Sequence, residues 1–169
     1  MGAAGKEYIL MDDASIIAAN PTHLLSKPGV LFMWATCPRL DFAVDVGRKW
    51  GLHYRGVAFV WIKTTKAGIP FEATGVRPSI TKPLIELVLA FSTEPKGRPL
   101  PLDSEAVTQT VFVPEEPSPV FCPREGHSVK PDEVQRRIDA LYPQARKLEM
   151  YARRMYPGWS SHGNELPVI

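Results

Sequence analysis

Hydrophobic and polar positions along this chain fall into short segments of two kinds. Val30-Leu31-Phe32-Met33-Trp34 is continuously apolar and follows the turn Lys27-Pro28-Gly29, the pattern of a strand covered on both faces. Arg55 to Lys63 and Ile85 to Phe91 read as second and third strands, Thr108–Val113 as a further one, and Lys147–Ala152 as the fifth. Between them the period changes to that of a helix. From Pro38 to Trp50, Leu40, Val44, Gly47 and Trp50 share one face, and Asp132–Tyr142, opened by Pro131 and closed by Pro143, carries Val134, Ile138 and Leu141 on another. Asp12 or Asp13 can cap a shorter helix with Ile16 and Ile17, which stops at Asn20-Pro21.

Strands alternating with helices predict an α/β domain built on a mostly parallel sheet, in which ligands sit at the carboxyl ends of strands. The loops after Trp34, Lys63 and Ala152 are therefore expected to line any site. Two connections, Thr64–Pro83 and Thr93–Ser104, are rich in proline and glycine, and Pro114–Pro123 is heavy in proline. The first of them carries or adjoins Lys63, Lys66, Arg77 and Lys82, which could meet phosphate, although a solvated surface is the safer reading of them.

Composition narrows the picture. The 169 residues suit a single domain, Met1–Ile169, able to bury roughly two thirds of its unfolded surface. Two cysteines, Cys37 and Cys122, without a C-x-x-C, disfavour a disulfide scaffold or a zinc ribbon and suit a reducing, cytoplasmic setting. No apolar run is long enough for a membrane span, and Met1–Ile9 lacks a secretory apolar segment. A net charge of +2 does not by itself argue for a nucleic-acid partner. His23, His53 and His162 have no ligand-like spacing, so no metal is expected, and the G-x-G-x-x-G and P-loop fingerprints are absent. His127 could be pictured as a general base, but a turn residue beside Ser128 is the better reading.

The most distinctive stretch lies near the C-terminus. His127-Ser128-Val129-Lys130-Pro131-Asp132-Glu133 is followed by Lys147-Leu148-Glu149-Met150-Tyr151-Ala152-Arg153-Arg154, then by Pro157-Gly158-Trp159 and Gly163-Asn164-Glu165-Leu166. In order and spacing these pieces resemble the MT-A70 family of S-adenosylmethionine-dependent adenine-N6 methyltransferases, a resemblance running from about Tyr8 to Leu166. It implies a Rossmann-like methyltransferase fold and a nucleic-acid substrate, DNA or RNA. It also implies that Lys130 contacts the methionine carboxylate of the cofactor, that Tyr151 and Arg153 wall and bind it, and that Asn164 and Glu165 hydrogen-bond its ribose. The family more often has Phe at the position of Tyr151. Arg153 and Arg154, adjacent at a strand end, are expected to face opposite ways.

One departure matters. The family's Asp-Pro-Pro-Trp signature, on a strand preceding all of these segments, occurs nowhere in the chain. An exocyclic adenine amine is a weak nucleophile, because its lone pair is delocalised into the ring. The motif's carboxylate and a carbonyl accept the amine's hydrogen bonds while its aromatic residue stacks on the base. Without it no catalytic residue is assigned. The missing strand would lie mid-sheet, between Lys147–Ala152 and Val30–Trp34, and its loss leaves two inner edges unpaired. Three remedies stand open: Tyr8–Met11 serves as that strand with Asp12 or Asp13 at its end, a partner chain supplies it, or the sequence starts after it. Two functions follow, a methyltransferase or a non-catalytic module that pairs with a methyltransferase subunit, with a second copy of itself, or with nucleic acid.

Overall fold

The computed structural model describes residues 10–71, 83–97, 118–124, 129–164 and 166. Four strands, β1 (Val30–Thr36), β2 (His53–Thr64), β3 (Ile85–Ser92) and β4 (Pro119–Pro123), form one sheet in the order β1-β3-β2-β4. A second sheet pairs β5 (Leu148–Met150) with β6 (Ser160–His162) in parallel. The helices are α1 (Asp13–Ala18), α2 (Leu40–Lys49) and α3 (Asp132–Leu141), with single 3-10 turns at Thr22–Leu24 and Cys37–Arg39.

The expected α/β class holds, whereas the expected mostly parallel sheet becomes a mixed one. β3 runs antiparallel to both β1 and β2, and only the β2–β4 pairing within this sheet is parallel. Because β3 opposes both neighbours, β1 and β2 still point the same way, and so does β4. Three carboxyl ends therefore gather at one end of the sheet. β4 falls where the proline-heavy stretch reads as a loop. Its prolines stand at the two strand ends of an edge strand, where a missing N–H is tolerated, and Val120 between them is fully buried. The predicted strand Thr108–Val113 lies outside the described residues.

Period-two alternation sends side chains to the two faces of the sheet. Leu87, Leu89 and Phe91 of β3 face α2, packing with Ala35, Ala43 and Leu52, while Leu31 and Met33 of β1 join the same cluster. On the opposite face Val88, Phe59, Trp61 and Val120 meet Val134 and Ile138 of α3, with Phe32 and Trp34 of β1 alongside. The apolar Val30–Trp34 run is thus covered on both faces, as its composition predicts. It remains only half-buried, since among the described residues β1 is hydrogen-bonded to a strand on one side alone.

Local signals set the helix ends. The Asp12 carboxylate accepts from Ser15 N at 2.7 Å and caps α1, and the Trp50 indole donates to Ile17 O at 2.8 Å, tying α1 to the end of α2. Leu10 and Met11 belong to no strand. Tyr8 and Ile9, the other half of the alternative Tyr8–Met11 strand, lie outside the described residues.

Two consequences can be measured. A methyl group at Gly47 of α2 would overlap the ring of fully buried Phe91. Gly47→Ala should lower unfolding stability in urea by about 1–3 kcal/mol through overpacking, and an unchanged midpoint would show that the helix seats differently. In α3, Glu133 accepts from Arg136 Nε at 2.8 Å and Arg137 Nε at 2.8 Å; these hydrogen bonds, Arg136's first, outweigh burial and pull its pKa from 4.5 to about 2. A folded-state pKa below the unfolded one means stabilisation present above pH 4.5 and lost as pH falls toward about 2. Glu133→Gln should flatten the acid limb of the urea midpoint in that window and leave the neutral limb parallel to the wild type.

Candidate functional site

The carboxyl ends of β1 and β2 present two tryptophans to the α3 side. Trp34 and Trp61 meet edge to face, centroids 6.0 Å apart and planes at 78°. Trp61 is 2% exposed and its indole donates to Cys122 O at 2.9 Å, so it is fixed by both packing and a hydrogen bond. Trp61 belongs to the core, whereas Trp34, on the adjoining strand end, is only half-buried.

Register explains why charge collects here. Glu86, the second residue of β3, pairs with Trp61 on one side and Thr36 on the other, so it shares the α3 face with Trp61 and, one pleat on, Lys63. Its carboxylate is buried, at 8% exposure, and accepts from Lys63 Nζ at 2.6 Å on one oxygen and from Lys130 Nζ on the other. Lys130 arrives from the turn before α3, its ammonium 5.2 Å from the Trp34 ring centroid, and Lys63 lies 5.1 Å from that of Trp61. Burial pushes the Glu86 carboxyl up, but Lys130 and then Lys63 outweigh it and hold the group below its ordinary range. Two ammoniums around one carboxylate leave the cluster with one net positive charge.

A second set of residues lies at the end of β5. Tyr151 adopts the left-handed region, φ 59°, uncommon for a residue with a side chain, and the reversal leaves its ring 60% exposed. Ala152 is buried and donates to His162 O at 3.0 Å. Gly163 presses so closely on Ala152 that any Cβ would overlap the Ala152 carbonyl. That contact sets Asn164 next to the turn at Tyr151–Ala152, with its side chain exposed. Arg154 joins the two halves, donating to Lys130 O at 3.1 Å and pairing with Asp132.

Arg154 ties the Lys130 turn to the segment that carries Tyr151 and leads to Asn164, and Lys63, expected beside a phosphate-facing loop, shares Glu86 with Lys130. Lys66 is exposed in the turn after β2. Arg153 and Arg154 follow β5 outside any strand, so strand alternation does not govern them, and it is Arg154 that reaches the Lys130 turn. Glu165, Arg77, Lys82 and His127 lie outside the described residues.

Sequence reasoning missed Glu86, Gln135 and Glu149. Gln135 on α3 donates to Glu149 on β5 at 3.4 Å, and burial raises the Glu149 carboxyl above its ordinary value. A lone acid in an otherwise apolar strand, Ile-Glu-Leu-Val-Leu, was the available signal for Glu86.

Among the described residues no helix is long and apolar enough to cross a membrane, and no group of three His, Cys, Asp or Glu side chains could hold a metal ion. The chain is 32% identical over 139 residues to the Type II methyltransferase M.MunI of Mycoplasma sp, covering 82% of this chain and 51% of that protein. It is 24% identical over 148 residues to the human N(6)-adenosine-methyltransferase catalytic subunit METTL3, covering 86% of this chain and 23% of that protein. To the human N(6)-adenine-specific methyltransferase METTL4 it is 30% identical over 109 residues, 63% of this chain and 21% of that protein. It thus spans about half of the first of these relatives and under a quarter of the other two. The MT-A70 family profile matches residues 3–165, nearly the whole length, and with that the chain belongs to the MT-A70 family.

Proposed function

We propose that this chain is the cofactor-holding part of an S-adenosylmethionine-dependent methyltransferase acting on the exocyclic amine of adenine in DNA or RNA. One observation carries the reading. The Lys130 ammonium stands at the carboxyl ends of three co-directed strands, and Arg154 ties its turn to the segment bearing Tyr151 and leading to Asn164. That is where ligands sit in open α/β sheets.

The donor set fits the cofactor. Lys130 retains N–H bonds beyond the one given to Glu86 and can offer them to a carboxylate. Asn164, with Glu165 after it, supplies short polar side chains suited to ribose hydroxyls, Tyr151 supplies an exposed aromatic wall, and Arg153 stands two residues on. The bound cofactor supplies an electrophilic methyl group. The work of this chain is to orient the cofactor and to keep its carboxylate paired. Lys63, Lys66, Arg77 and Lys82 are the cations we assign to the nucleic-acid side, in a domain of residues 1–169 working in the cytoplasm.

A second reading has its own support. The chain lacks the Asp-Pro-Pro-Trp carboxylate and aromatic ring that the weakly nucleophilic amine requires. Among the described residues β1 and β5 are also each paired on one side only. Both features suit a subunit that works alongside a methyltransferase or nucleic acid rather than one that performs the transfer alone.

Calorimetric titration of S-adenosylmethionine into the purified chain tests the first reading. Saturable binding is expected, weakened about ten- to a hundredfold by Lys130→Ala, the range for a lost charge-assisted hydrogen bond, and several-fold by Asn164→Ala. Radiolabelled methyl transfer to adenine is then expected only when a polypeptide bearing the Asp-Pro-Pro-Trp strand is added. Absence of heat at millimolar cofactor, from a chain shown to be folded, would leave the partner-subunit reading in its place.

A further inference from the structure

We infer that Glu86 is a positioning residue for Lys130: its carboxylate, shared with Lys63, holds the Lys130 ammonium over Trp34, where an incoming ligand carboxylate can meet it. This rests on the reading of Lys130 as the residue that pairs with the cofactor's carboxylate, and it adds a residue in another element that touches no ligand.

Three observations support it. Glu86 is buried at 8% exposure in β3, held on both sides by sheet pairing, so its carboxylate has little freedom. Each oxygen is taken by a different lysine, Lys63 at 2.6 Å and Lys130, and this arrangement fixes the rotation of the carboxylate. Both ammoniums also lie against the tryptophan pair, Lys130 5.2 Å from the Trp34 centroid and 6.0 Å from that of Trp61.

Two physical effects oppose each other in this arrangement. A carboxylate near the site repels a second one, which would weaken ligand binding. Against that, a lysine side chain is among the most flexible in the chain, and two ammoniums without an anion between them repel and swing toward water. Ordering wins here because the single negative charge of Glu86 is already outweighed by its two ammonium partners, and the cluster remains positive by one unit. An ammonium has three donors, so Lys130 can serve Glu86 and a ligand carboxylate together.

The test compares two probes by calorimetry, S-adenosylmethionine and methylthioadenosine, which lacks the amino-acid carboxylate. Glu86→Gln is expected to weaken S-adenosylmethionine about tenfold and to leave methylthioadenosine within twofold. Added to Lys130→Ala it should cost nothing more, since the residue it positions is already gone. The double variant Lys63→Met with Glu86→Gln, which removes one ammonium along with the anion, keeps the comparison available if the single variant does not fold, and the same selective loss is expected. Unchanged or tighter S-adenosylmethionine binding in a folded Glu86 variant would overturn the inference while Lys130→Ala still weakens it. Equal weakening of both probes would overturn it too, by showing a merely structural role. If the wild type binds neither probe, the cofactor reading falls first and this inference with it.

Discussion

How α3 seats on the sheet decides where everything else at this site lies. Its apolar stripe, Val134 and Ile138, packs onto Phe59, Trp61, Val88 and Val120. Because the helix is fixed there, the turn before it delivers Lys130 to Glu86 and the tryptophans. On its flank Gln135 reaches Glu149 of β5, while Asp139 accepts from the Trp159 indole at 2.9 Å and pairs with Lys147 at 3.0 Å. One helix therefore locates both sheets. Shifting it by a turn would move the ammonium and the β5 end together, so packing in the core and chemistry at the surface are set by the same contact.

Much of this was legible because period is a strong signal. The run Val30–Trp34 had the composition of a strand between two layers, and the spacing of Val134 and Ile138 drew α3 to within a residue of its observed end. The parallel-sheet expectation failed on β3 because an apolar strand reads the same in either direction, so Ile85–Ser92 carries no mark of its antiparallel course. β4 was hidden by its own prolines, which mark its limits. β6, Ser160–His162, is three polar residues, too short and too hydrophilic to show a period; backbone hydrogen bonds from Ser160 N to Lys147 O and from Ala152 N to His162 O flank it.

The site was legible to a different degree. Residues carried by contiguous motifs, Lys130 and Asn164, could be named as candidates because those motifs resemble a known family's. Glu86 could not, because its importance arises from register: only the pairing with Trp61 and Thr36 places it beneath two lysines that are far from it and from each other along the chain. Charge pairing across strands is a property of the folded sheet. Lys63 likewise takes its place from Glu86, a partner that only the folded sheet supplies.

Among the described residues the four-stranded sheet ends in two unlike margins. β4 brings Pro119 and Pro123, which have no N–H to offer, and covers only five residues. β1 is seven residues long, Val-Leu-Phe-Met-Trp-Ala-Thr, with neither proline nor charge and a full complement of backbone donors. Natural sheets guard their borders against unwanted growth with prolines, charges or brevity, and the β4 border has two of these while the β1 border has none. Extension of this sheet is therefore polarised: any added strand, from whatever source, finds hydrogen-bonding capacity on one margin and a blunted one on the other.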